Sequence, residues 1–131
     1  MDNLSLRLKK VREAGAYRLG CRVDELYAAV AESGYILFDV DLAEIEGKEK
    51  FIAAIAQAVR VPDWFGSNWD ALADTLSDLS WQRAFGYVLL LRNDNDTLGM
   101  AAEDHNISMA IFADTIAFWK SQNKPFWIFF C

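Results

Sequence analysis

Three short stretches of this chain are apolar almost without interruption: Tyr35-Ile36-Leu37-Phe38-Asp39-Val40, Gly86-Tyr87-Val88-Leu89-Leu90-Leu91 and Phe126-Trp127-Ile128-Phe129-Phe130. Runs this short, rich in β-branched and aromatic residues, read as strands covered on both faces. Between them the period lengthens. Phe51, Ile52, Ile55 and Val59 recur on one side of a helix over 48–59, and Ile107, Ala110, Ile111, Thr115 and Phe118 do the same over 106–121. A further helix follows Pro62, with Trp69, Leu72, Leu76 and Leu79 on one apolar face and an end near Ser77 or Leu79. Pro62 fixes its own φ and pushes Val61 toward extended conformations, which stops the preceding helix. Gly66 permits a sharp bend. Ser67 has the chemistry of an N-cap, with Asp70 three residues on to complete a capping box.

Ahead of the first strand the pattern is weaker. Leu4, Leu6, Leu8 and Val11 fit no period cleanly, so residues 4–14 are expected to form a short basic helix that frays or runs irregularly. Ala16-Tyr17-Arg18-Leu19 reads as a short strand. Residues 23–33 read as a helix, with Leu26, Ala29 and Val30 on one face and Gly34 as its C-terminal stop. Residues 92–99 form a polar loop. Strands alternating with helices give an α/β fold with a parallel sheet and right-handed crossovers, with two consecutive helices between the first two core strands. The aromatic last strand would be a hazard at an open sheet edge.

Composition narrows the function. A chain of 131 residues with 53% hydrophobic and 14% aromatic content is one ordinary packed domain. Two cysteines, Cys21 and Cys131, are too few for a disulfide scaffold and are expected to be free thiols in a reducing cytosol. No apolar run reaches membrane-spanning length, and the basic start leads into no signal-peptide core. The net charge of −6 argues against nucleic acid as a partner. It is also unevenly placed. Residues 1–22 hold six of the 13 basic groups (Arg7, Lys9, Lys10, Arg12, Arg18, Arg22) and only two of the 19 acidic ones, so residues 23–131 carry 17 acidic against seven basic groups. Such a field speeds encounter with a cationic protein.

Catalytic chemistry is scarce. His105 is the only histidine, set in an acidic Glu103-Asp104-His105-Asn106 segment before a helix, where a solvated or capping role fits best. No GxSxG and no phosphate-cradling glycine loop is present. Asp94-Asn95-Asp96 with Gly99 lacks calcium-loop spacing, and His105 stands where that loop needs glutamate. Asp70 and Asp74 are one helical turn apart, whereas a glycosidase pair usually flanks a cleft from different elements. The chain therefore reads as no enzyme, with no metal and no cofactor.

The charge pattern of the helix after Pro62 stands out. Asp70, Asp74 and Asp78 fall at i, i+4 and i+8, with no lysine or arginine in the helix to relieve them. Like charges at that spacing cost a few tenths of a kcal/mol per pair. The stripe is either a preformed anionic surface beside the aromatic Trp64 or a solvated face whose first carboxylate is merely a cap. The first arrangement suits arginine, lysine and histidine side chains of a basic protein.

The run Pro62-Asp63-Trp64-Phe65-Gly66-Ser67-Asn68-Trp69-Asp70-Ala71-Leu72-Ala73-Asp74-Thr75-Leu76 resembles the signature of the barstar family, intracellular inhibitors of barnase-type ribonucleases. The resemblance covers about residues 35–131 and leaves residues 1–34 as an N-terminal extension, the whole expected to be one compact unit. It implies a barstar-like three-stranded parallel sheet packed by helices, to which the extension adds the short strand and helix read above. It also implies that the signature loop and helix plug the active site of a basic ribonuclease, carboxylates standing in for RNA phosphate. On that resemblance Asp74 takes the place of the central carboxylate, Asp70 that of its neighbour one turn earlier, and Trp64 that of the contact aromatic. Gly66 and Asn68 match the contacting loop, and Ala73 stands where the family often has tryptophan. The family's acidic group on the last helix falls at Phe118 or Trp119 here, with Asp114 as an approximate substitute. The expected function is thus a monomeric cytoplasmic ribonuclease inhibitor, antitoxin-like in character, that uses neither nucleic acid nor membrane. The alternative is an interaction module on the same fold with a non-nuclease or toxin partner.

Overall fold

The apolar runs do lie side by side as strands. A computed structural model, which describes residues 4–19, 22–61, 68–94 and 98–131, contains four strands: β1 (Ala16–Arg18), β2 (Ile36–Asp41), β3 (Tyr87–Arg92) and β4 (Phe126–Phe130). They form one parallel sheet in the order β1-β4-β3-β2. The helices are α1 (Leu4–Leu8), α2 (Val23–Ser33), α3 (Lys48–Ala58), α4 (Trp69–Leu76) and α5 (Ala102–Ser121), with a 3-10 turn over Val11–Glu13. The extra strand and helix expected of the extension are therefore present. Two adjoining helices, α3 and α4, separate β2 from β3 as the periodicity predicts. Gly34 ends α2 in the left-handed region, at φ 78°.

Strand order explains why the sheet is covered on both faces. The chain crosses from β1 at one edge to β2 at the other, then returns through β3 to β4. Crossovers of one hand made in opposite directions put their helices on opposite faces. Accordingly α3, α4 and α5 pack on the face of Phe38, Val40, Tyr87, Leu89, Leu91, Phe126 and Ile128. The extension packs on the other: Leu8, Ala14, Leu26, Ala29 and Val30 cluster with Val88, Leu90, Trp127 and Phe129. The two inner strands, β3 and β4, need apolar residues on both sides, which is why their runs scarcely alternate.

Residues 4–14 run irregularly, as expected, with a short helix over Leu4–Leu8 and a 3-10 turn over Val11–Glu13. They are nevertheless tied down: Leu8 is fully buried, and the Trp127 indole Nε1–H donates to its carbonyl at 2.9 Å. Three expectations are corrected. The last long helix starts at Ala102 rather than 106, because Glu103 and Asp104 suit the positive end of a helix and lengthen it by a turn. Helix α4 ends at Leu76, after which Leu79 turns through φ 49° and still buries its side chain. Finally, Cys131 is disulfide-bonded, not a free thiol; Cys21 lies outside the described residues.

On the extension's side, β2 breaks its apolar pattern with Asp39 and Asp41, and the structure gives both a purpose. Arg92 Nε donates to Asp39 Oδ1 at 2.7 Å, and the Tyr27 hydroxyl of α2 donates to Asp39 Oδ2. Asn93 Nδ2 and the Ala43 backbone N–H donate to Asp41 Oδ1 at 2.7 and 2.9 Å. The bond from Asn93, with help from Ala43, holds the Asp41 carboxyl below its ordinary range. That from Tyr27 to Asp39 raises the tyrosine. These contacts fasten α2 and the turn after β3 to the edge strand.

Candidate functional site

The helix that carries the acidic stripe is set by its first residues. Asn68 is extended (φ −141°, ψ 170°), and its Oδ1 accepts from the Ala71 N–H at 2.7 Å. The N-cap is therefore Asn68 and not Ser67, one residue later than the sequence suggests; Ser67 itself lies outside the described residues. The shift has a consequence for Asp70. A capping box from Asn68 would need its acid at position 71, where alanine stands. Asp70 is left in the first turn, exposed, favoured by the helix field but in no box.

Helix α4 is held at both ends by tryptophans. At its start, Trp69 Nε1 donates to Asp104 Oδ1 of α5 at 3.1 Å, its ring lies 6.2 Å from that of Phe51, and Lys48 Nζ stands 6.0 Å over it. At its end, Trp119 Nε1 of α5 donates to the Leu76 carbonyl at 2.7 Å. Both bonds join early α4 to early α5 and late α4 to late α5, so the two helices lie side by side and run in the same direction. Leu72, Thr75 and Leu76 face inward. Ala73 is half-buried and packs on the core.

On the outward side stand Asp70, Asp74 and, just past the helix, Asp78, all exposed. No arginine, lysine or histidine lies within ion-pair distance of any of the three among the described residues. The acidic stripe is thus uncompensated in three dimensions as it is in sequence. Trp64 and Gly66, the other expected contact residues, lie outside the described residues. Asn68 and Asp70 sit at the helix start and Asp74 one turn on, so the described members of the expected site occupy one short, rigidly seated helix.

Helix α5 supplies the flank. Its buried stripe is Ser108, Ile111, Phe112, Thr115, Ile116 and Trp119. On one side of that stripe, Met109, Ala113, Ala117 and Lys120 line a cleft of about 390 Å3 with Ala16 of β1. The other side begins with Asp104, bonded to Trp69, and so adjoins α4. Helical spacing places Ile107, Asp114 and Phe118 on it. Of the two residues aligned with the family's acidic position, Trp119 is buried and bonded to α4, whereas Phe118 is 38% exposed. Asp114 is exposed on the same side. The bonds from Trp69 and Trp119 had no signal in the sequence, since their acceptors lie 35 and 43 residues away.

His105 sits half-buried in the first turn of α5, where its carbonyl accepts from Ser108 Oγ. Asp94 pairs with Arg18 at 3.1 Å. No group of three metal-ligating side chains occurs among the described residues. Clefts at the start of α2, beside β2 and beside Leu98 measure about 280 to 320 Å3, and Asp70 and Asp74 line none of these. Among the described residues no helix is long and apolar enough to cross a membrane.

A family model described as Barstar (barnase inhibitor) matches residues 35–131. No curated protein matches the chain.

Proposed function

The chain belongs to the barstar family, and from that premise we propose that it inhibits a basic ribonuclease of the barnase type by covering its active site with α4 and the segment before it. The observation that carries this reading is the pair of exposed carboxylates, Asp70 and Asp74, on a helix pinned by two tryptophans, with no cation at ion-pair distance among the described residues. A ribonuclease must hold the phosphates of RNA with cationic side chains, and carboxylates fixed at helical spacing can occupy the same groups. Because α4 is pinned by Trp69 and Trp119, the backbone that presents the carboxylates needs no ordering when the partner arrives. Asp74 is the central group, Asp70 its neighbour, and Trp64, Gly66, Asn68 and Ala73 complete the contacting surface.

The inhibitor acts as a monomer in the cytoplasm, where it protects cellular RNA, and it needs no cofactor, metal, nucleic acid or membrane. The bonded state of Cys131 takes away the thiol argument for that compartment, so the placement rests on the family's role.

The test is a titration of the purified protein against a panel of barnase-type ribonucleases, alongside Asp74→Ala. The wild type is expected to inhibit at least one of them below micromolar concentration, and the variant to lose at least about thirtyfold in affinity, as a hot-spot residue does. Its stability should change by no more than a few tenths of a kcal/mol, since Asp74 is exposed and lies one turn from two like charges. Failure to inhibit any ribonuclease, or equal inhibition by Asp74→Ala, refutes the proposal.

A further inference from the structure

The flank of α5 that adjoins α4 is not acidic throughout. Asp104 near its start is turned toward α4, its Oδ1 accepting from Trp69, and Asp114 is exposed midway. Near its end stands Phe118, 38% exposed, its ring edge-on to Trp119 at 5.1 Å between centroids. Trp119 in turn holds the end of α4 through the Leu76 carbonyl. Phe118 therefore rests on the residue that seats the acidic helix, and presents the rest of its ring to solvent beside it. An aromatic so placed is partly preorganised and loses little entropy on being covered, which is the character of an interface anchor.

We infer that Phe118 is a specificity-determining contact of the α4 surface, and that the partner is a basic protein whose cationic cleft is bordered by an apolar or aromatic side chain. The inference rests on the inhibitor reading above and adds the chemistry of the partner's rim. Charge defines the rest of the occupant: Asp70, Asp74 and Asp114 need cations opposite them, and a second copy of this chain would bring the same carboxylates against its own. A purely cationic rim would leave Phe118 unmatched. An apolar one buries it, and adds affinity that salt does not screen.

The experiment uses the ribonuclease of the panel that binds the wild type most tightly, and measures its affinity at low and high salt for the wild type, Phe118→Ala, Phe118→Leu, Phe118→Glu, Phe85→Ser and Asp74→Ala. Phe85, 84% exposed two residues before β3, controls for loss of exposed apolar surface in general. Phe118→Ala is expected to weaken binding about tenfold or more. The salt dependence should keep its slope, Phe118→Leu should lose less, and Phe118→Glu should lose more than alanine. Phe85→Ser should bind as the wild type does. Asp74→Ala should both weaken binding and flatten the salt dependence.

Unchanged affinity in Phe118→Ala overturns the inference while leaving the inhibitor reading intact, provided Asp74→Ala still binds more weakly than the wild type. Tighter binding by Phe118→Glu also overturns it, since that result marks a cationic rim. An equal loss in Phe85→Ser overturns it as well, by showing a general surface effect. A panel in which nothing binds refutes the inhibitor reading, and this inference with it.

Discussion

Asp70 and Asp74 look alike in the sequence, yet the structure separates them from the residue that does the structural work. Asn68 caps α4 with its own side chain, so neither carboxylate is needed for that purpose. Asn68→Ala should lower stability by about 1 kcal/mol, measured from the denaturant midpoint; a change near zero would return the cap to Ser67. Asp41 is the opposite case, a carboxylate with a structural task. Its folded-state pKa is lowered, first by the bond from Asn93 and then by that from Ala43. A group of that kind contributes stability above its unfolded pKa and loses it as the pH falls through the lower folded value. Asp41→Ala should therefore be less stable than the wild type near neutrality, and the gap should close as acid carries both below the ordinary carboxylate range. Unfolding midpoints across that range check it, and a gap independent of pH refutes it.

At the scale of elements, the part hardest to read was the shortest. Helix α1 has five residues and no clean period, and an isolated helix of that length has no stability of its own. It persists because Leu8 enters the second core and its carbonyl accepts from Trp127. Leu8→Ala should cost roughly 2 to 5 kcal/mol in chemical unfolding, as large-to-small core changes do, and a loss under about 1 kcal/mol would show that α1 merely rests on the sheet. Strands β2, β3 and β4 were legible to within a residue or two because each is an apolar run with no competing period. Helix α4 was legible in its apolar face and its acidic face, but its cap was displaced by one residue, since Ser67 and Asn68 carry the same capping chemistry.

For the whole molecule, strand order decides what is exposed. Strand β4, Phe-Trp-Ile-Phe-Phe, would invite edge pairing if it stood at the end of the sheet, but β1 covers it on one side and β3 on the other. The edges fall instead to the short β1, bearing Arg18, and to β2, bearing Asp39 and Asp41. The same topology segregates charge. Helix α1, which bears Arg7, packs on the face of the sheet opposite α4, and Arg7 and Lys10 pair with Glu13 of the 3-10 turn. Among the described residues they make no ion pair with the carboxylates of the proposed binding surface, although they bring the net charge of the chain closer to zero.

The sequence by itself determined the α/β class, the three long strands, the acidic helix and the family resemblance. Each of these is local: a run, a period or a motif whose meaning survives without knowing what lies opposite. Tertiary structure alone decided that the extension builds the second face of the sheet, that Cys131 is bonded, that two tryptophans seat α4, and that Phe118 rather than Trp119 reaches the surface. Those depend on contacts between residues far apart in the chain. A one-dimensional pattern shows that a tryptophan must be buried, but not which carbonyl will receive its N–H.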